Sequence, residues 1–219
     1  MDLAPAIASL KNFLLVISDT EHAVGGVVQL AAEGSQDLHI AAHHGLSEGF
    51  VRHYANRTPG DGTPYTQALA ERRRVVIRDV EADEAYAPHL AVTQNEGILA
   101  IQATPLISAQ RHSLGVLTTF YSKAQHPGAE SLRLIDQCAD GAMLLIEAVN
   151  LQAKLSRLFS RSGMPFRPID DHVVRSADAA KGLLKSLNST NYLNMLPVAR
   201  RNLKQVVAEL EFQVARQEV

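Results

Sequence analysis

Apolar residues near the start of the chain recur at helical spacing. Leu3, Ile7, Leu10, Leu14 and Ile17 are separated by four, three, four and three positions, which predicts an amphipathic helix over 3–17. Gly25 and Gly26 end that pattern, residues 27–30 read as a short β-rich run, and turn residues follow over 33–37. Leu38, Ile40 and Ala42 then alternate with His39, Ala41 and His43, so a second strand returns as a hairpin and stops at Gly45. Helical spacing resumes over 47–56, with Ser47 as cap and Phe50, Val51 and Tyr54 on one side. The run Pro59, Gly60, Asp61, Gly62 breaks it. A short helix over 63–73 and a β-branched third strand over 75–80 come next. Residues 81–96 form a polar loop with a helical turn and scattered aromatic and imidazole groups, a composition suited to covering a site rather than building a core.

Residues 98–107 and 113–121 are two long β-prone runs joined by a polar turn, the clearest hairpin and the expected centre of the sheet. A long helix is predicted over 130–159. Leu132, Ile135, Ala139, Ala142, Ile146 and Val149 form one seam, and Leu144, Leu151, Leu155 and Leu158 drift out of it as a second stripe. Helices flanking hairpin-ordered strands define an α+β fold: an antiparallel sheet of five or six strands with the N- and C-terminal helices packed on one face. The expected organisation is a domain over 1–159 and an appendage over 160–219. The appendage comprises a linker rich in Pro, Gly and Arg over 160–168 and two amphipathic helices over 171–187 and 197–214, too small to hold a core alone.

Composition narrows the function classes. With 46% apolar and 20% charged residues, the chain can bury a full core. Its 21 Lys and Arg nearly balance 23 Asp and Glu, so there is no sequence-wide basic field for nucleic acid, and Arg72, Arg73 and Arg74 read as a solvated helix end. No run of about 18 apolar residues predicts a membrane span, and no signal-peptide pattern opens the chain, so a cytoplasmic protein is expected. The single cysteine, Cys138, can form neither an internal disulfide nor a thiol zinc cluster, and it sits in the helical seam as a small apolar residue.

Alternation puts His39 and His43 on one strand face, yet no Asp, Glu or Cys completes a metal-ligand spacing, so solvent-facing histidines are expected and no metal site. No nucleophile elbow and no Gly-rich phosphate loop occurs, and the chain is read as non-enzymatic. Gln102 and Thr104 must hydrogen-bond if the sheet is covered on both faces, either to a ligand or to the backbone. His172 beside Asp171 reads as an exposed residue at a helix cap rather than as a phosphoacceptor.

The segments GGVVQL, HIAAHHG, VVIRDVEAD, YAPH, GILAIQATPLIS and SLGVLTTFY, in this order, resemble a GAF domain over residues 5–150, similar to those of bacterial two-component sensors. The resemblance implies a small-molecule pocket between the sheet and the loops and helices connecting strands two to four. Tyr54, Asp61, Thr63, Tyr65, Tyr86 and His89 would approach it, with Ile101, Ala103, Val116, Thr118 and Phe120 as strand contacts. In bilin-binding relatives a histidine placed like His89 touches the chromophore, and in plant-type members a cysteine precedes it. Pro88 stands there, so covalent bilin attachment is not expected. Family members that reduce free methionine sulfoxide use several cysteines, which Cys138 alone cannot reproduce, and the Asn-Lys, Phe and Asp-Glu constellation of cyclic-nucleotide binders is missing.

The resemblance thus implies a sensory domain in bacterial signal transduction that binds an unidentified small molecule, and the second apolar stripe on the long helix is read as the seam of a homodimer. A downstream kinase or regulator would receive the signal, and the cofactor is unknown. The alternatives are a ligand-free dimerisation module and a haem-based sensor using His89 or His53. Tyr86 and His89 are expected to lie in a surface loop whose truncation to alanine leaves the fold intact. The second stripe on the long helix is expected to be exposed in a monomer without a docked tail.

Overall fold

The computed structural model describes residues 4–31 and 34–162, together with positions 201 and 208. Most of the linker and both tail helices expected after 160, with His172, lie outside the described residues. In chain order the elements are α1 (Ala4–Glu21), β1 (Gly25–Ala31), β2 (Leu38–His44), α2 (Glu48–His53), β3 (Asn56–Arg57), α3 (Pro64–Glu71) and β4 (Val75–Ile77). A 3-10 turn (Glu84–His89), α4 (Leu90–Asn95), β5 (Ala100–Ile107), β6 (Ser113–Tyr121) and α5 (Ala129–Ser162) complete them. The six strands form one antiparallel sheet in the order β3-β2-β1-β6-β5-β4.

Two compact units divide the chain, Leu10–Ala139 and a second that joins Met1–Ser9 with Asp140–Val219. In the first, strand alternation splits the sheet into two covered faces. Val27, Ile101, Ala103, Val116 and Phe120 belong to one apolar core with Val75, Ile77, Tyr54, Tyr65 and Tyr86. Cross-strand register puts Gln29 and Thr118 on this same face, since Val27 stands opposite Thr118 and Gln29 opposite Val116. The other face receives α1. A Cβ added to Gly26 would lie 2.9 Å from both the Leu14 side chain and the Thr118 backbone carbonyl, and the carbonyl cannot move aside, so the position takes glycine. Leu10, Phe13, Leu14, Val16 and Ile17 of α1 are buried, as are Leu134, Ile135 and Cys138 of α5. In the second unit Ser9, Ala142, Leu144, Ile146 and Ala148 are buried. Leu144 is therefore not an exposed strip residue and Leu151 is half-buried, while the side chains of Leu155 and Leu158 lie outside the described residues.

Other expectations are corrected as well. A bulge changes the β1–β2 register, with Val28 opposite Ala42 but Gln29 opposite Ile40, so Ala41 is the extra residue on β2. The alternation shifts by one there, and His39 and His43 fall on opposite faces, which ends the idea of a shared ion. The two-residue β3 stands where the helix over 47–56 was expected to end. It pairs with Leu38 and His39 and is too short to carry a period. Arg74 is half-buried rather than solvated, donating to Thr104 Oγ1 at 3.2 Å and pairing with Asp136 of α5. Thr104 thus meets a side chain instead of a ligand or the backbone, and the Gln102 amide, on the helix-covered face, has no partner among the described residues. Finally, Tyr86 is not a surface residue: only 1% of it is exposed, and it belongs to the core.

Candidate functional site

Three segments close over the sheet face that carries Val116, Thr118 and Phe120, and short local motifs aim each of them. Ser47 caps α2, its Oγ accepting from the Phe50 amide at 3.1 Å, so that Phe50 and Tyr54 turn inward one helical turn apart. The rings of Phe50 and Tyr54 lie 4.6 Å apart, and Phe50 meets Phe120 edge-on at 5.2 Å. The second segment is the turn before α3. Gly60 and Gly62 adopt φ of 83° and 79°, which a side chain resists, and between them Asp61 is held inward. Its Oδ1 accepts from Thr63 N at 3.0 Å, Thr63 Oγ1 at 2.7 Å and Thr66 Oγ1 at 2.8 Å. Asp61 thereby does the capping that the Thr63 side chain does not, and α3 starts so as to bury Tyr65.

The third segment is the 3-10 turn. Asp83 accepts from the Tyr86 amide at 3.1 Å and points that ring into the core. His89 follows, and its Nε2–H donates to the Asp61 carbonyl at 3.0 Å, joining the second and third segments. Ser47 adds a further tie by donating from both N and Oγ to the carboxylate of Glu96 at the end of α4.

These motifs gather the residues named from the sequence. Tyr54 lies 5.5 Å from Tyr65 and 6.2 Å from His89, Tyr86 lies 5.4 Å from His89, and Tyr65 lies 6.5 Å from Phe120, all between ring centroids. The Tyr54 and Tyr86 hydroxyls are 3.5 Å apart. Ile101, Ala103, Val116, Thr118 and Phe120 lie on the sheet face beneath. Two of the named residues have another task at this spot, since Asp61 and Thr63 turn their polar atoms on each other. His89 commits Nε2 to a carbonyl, leaving Nδ1 as its other ring nitrogen. His53 is exposed and packs its ring against Tyr54 at 4.7 Å. Among the described residues no group of three His, Cys, Asp or Glu side chains could hold a metal ion.

Sequence reasoning missed Gln29, Arg57 and Thr66. Gln29 is fully buried on the same face, with Nε2 donating to the Tyr54 carbonyl at 3.4 Å and Oε1 without a partner. Its signal was present as one amide within the apolar run GGVVQL. Arg57 stacks its guanidinium 4.9 Å from the Tyr54 ring centre, pairs with Asp61 at 3.5 Å and donates to the His53 carbonyl, while its Nε is unpartnered. Thr118 Oγ1 also lacks a partner, while the Tyr65 hydroxyl lies among those of Tyr54 and Tyr86. Burial raises the pKa of all three tyrosines, most strongly for Tyr65 and Tyr86, so each stays a neutral phenol at physiological pH. The arrangement is a hydrogen-bonding surface walled by aromatic rings.

Residues 10–147 match the model of the family described as GAF domain. No curated protein matches the chain at a significant level. Among solved structures, the GAF domain from a phosphoenolpyruvate-protein phosphotransferase of Coxiella burnetii is 16% identical with a TM-score of 0.58, covering 68% of this chain and 87% of that one. A domain assigned to a two-component sensor histidine kinase of Sinorhizobium meliloti is 17% identical with a TM-score of 0.51, over 65% of this chain and 90% of that one. The free methionine-R-sulfoxide reductase of Neisseria meningitidis, solved with its substrate, is 22% identical with a TM-score of 0.52, over 65% and 78%. Identities this low show a shared fold.

Proposed function

Because the chain belongs to the GAF domain family, matched over residues 10–147, we propose that it is a sensory module that holds a small molecule over the face walled by Tyr54, Tyr65 and Tyr86 and answers through α5. One observation carries the reading: the buried Gln29 Oε1 and Thr118 Oγ1, on neighbouring strands of this sheet face, lack partners, as does Arg57 Nε beside Tyr54. An unmet buried donor or acceptor costs about 1–3 kcal/mol, and a fold that needed only a core would fill these positions with apolar groups. A ligand that bonds to them recovers that cost and gives the lid segments a reason to close. Ile101, Ala103, Val116 and Phe120 supply the floor, while Asp61, Thr63 and His89 hold the lid in register.

The likeness to a domain of a sensor histidine kinase supports a place in bacterial signal transduction with a downstream kinase or regulator as partner. A non-catalytic role is supported by the chemistry of the residues. The reductase from Neisseria meningitidis shows that this fold also serves enzymes, but the one cysteine here is buried in α5, and burial pushes its thiol up to about 12, where a nucleophilic thiolate is scarce. The domain boundary near residue 160 and a homodimer built on α5 belong to the same proposal. At 34 residues α5 is about 50 Å long, against about 30 Å for the nine-residue β6.

The full burial of the three tyrosine rings favours a second reading, a dimerisation module whose pocket is filled by its own side chains. Native mass spectrometry of the purified chain, followed by a thermal-shift screen of neutral and charged metabolite-sized compounds, separates the two. Retained extra mass, or compounds that raise Tm in a dose-dependent way, is the result expected. No retained mass and no stabilising compound would leave the dimerisation module standing.

A further inference from the structure

The chain leaves the site face at the end of α3. Tyr65, Ala68 and Leu69 of α3 share one core with Val75 and Ile77 of β4, the edge strand of the sheet. Arg72 joins the two elements in the left-handed conformation, with φ 53° and ψ 33°, which a residue bearing a Cβ resists and which persists only where its surroundings hold it. Side chains alternate along an extended segment, so Arg74 faces away from Val75, toward the surface that carries Thr104. There its Nε donates to Thr104 Oγ1 at 3.2 Å and its Nη2 pairs with the Asp136 carboxylate of α5.

The reach of this pair sets it apart. The ion pairs of Arg52, Arg57 and Arg73 join positions within four residues of one another, whereas Arg74 and Asp136 stand 62 positions apart. Its two ends also differ in burial, the Arg74 side chain being 22% exposed and that of Asp136 59%. Buried Thr104 fixes the guanidinium to the strand. The grip on α5 is the end that lets go more easily, because an ion pair open to water is screened and exchanges readily.

We propose that Arg74 is a latch that passes the position of α3 to α5 around the edge of the sheet. With α3 seated, the left-handed turn at Arg72 presents Arg74 to Asp136. When α3 loosens, that turn relaxes, the pair opens and the first turns of α5 are freed. The inference deepens the sensory reading, on which it rests for the purpose of the link, and it names the contact by which the site face reaches the output helix.

Amide deuterium exchange of the full chain tests the latch without any ligand. Thr66→Val removes the hydroxyl that Asp61 holds at the start of α3 and should raise uptake over 64–71. That loosening should also raise uptake over 130–139 by about twofold to fivefold, the range for which a partly exposed ion pair accounts. With Asp136→Asn or Arg74→Met in place, 130–139 should exchange faster from the start, and Thr66→Val should add nothing to it. Uptake over 25–31, in β1, should stay constant throughout and so report an intact fold. If Thr66→Val leaves α3 as it was, Asp61→Asn takes its place, and an α3 that neither variant loosens is no moving part and overturns the proposal. Uptake over 130–139 that ignores a loosened α3 overturns it too, as does a rise by the same factor with the latch removed. Faster exchange over 25–31 in both latch variants would make the pair a tie of the whole fold, which again contradicts a latch. Each of these results leaves the ligand question to the retained-mass and screening experiment, so the two readings fail separately.

Discussion

Tyr86 has two roles that a single substitution can separate. Its ring is part of the core, and its hydroxyl meets that of Tyr54. Tyr86→Ala should therefore cost about 3–5 kcal/mol, the range for losing a buried aromatic ring, whereas Tyr86→Phe should cost about 1 kcal/mol or less. Urea unfolding of each variant checks both values. The raised pKa adds a pH dependence of known sign. In the unfolded chain a tyrosine loses its proton near pH 10, while the buried Tyr54, Tyr65 and Tyr86 hold theirs to higher pH. The folded state then binds more protons, so their contribution is complete below about pH 10 and falls as pH rises beyond it. Tyr86→Phe should flatten that alkaline decline, and an equally steep decline in the variant would refute the assignment.

The same scale shows what a sequence can and cannot announce. The residues suggested by resemblance do converge, yet Asp61 and Thr63 converge as a helix cap. Side-chain type and order are identical whether a carboxylate faces a ligand or a backbone amide. Tyr86 was misjudged because a polar loop composition says nothing about the one ring that the Asp83 turn drives inward.

Elements with several periods were legible before the structure: α1, α5 and the β5–β6 hairpin repeat their patterns often enough to outweigh local noise. Features one or two residues long were not. The extra Ala41 in β2 and the two-residue β3 leave no periodic trace, yet the bulge decides which face His43 occupies. The tie between Ser47 and Glu96 is likewise invisible, because it joins positions 49 apart through an ordinary cap and an ordinary acid. It fastens the end of α4 to the start of α2. Glu96→Ala should speed amide deuterium uptake over residues 84–97 at a stability cost below about 1 kcal/mol, since the contact is exposed. Unchanged exchange in that segment would mean that other contacts hold the lid.

At the scale of the molecule, the proposal joins a ligand face to an output helix. Light scattering tests the second half. The native chain should have twice the monomer mass, and the double substitution Leu151→Glu, Leu155→Glu should bring it to the monomer value by placing charge in the helix interface. A native chain that is already monomeric contradicts the homodimer.

The first half is the central claim, that unpartnered polar atoms on the sheet face exist for a ligand and not for the fold. Thr118→Val tests it most directly, because it removes one such oxygen with almost no change in shape. Replacing an unmet buried hydroxyl by a methyl group relieves its desolvation, so the Tm of the ligand-free variant should hold steady or rise while ligand binding weakens. A Tm lowered by several degrees, about 1 kcal/mol or more for a domain of this size, would show that the hydroxyl serves folding and would contradict the account.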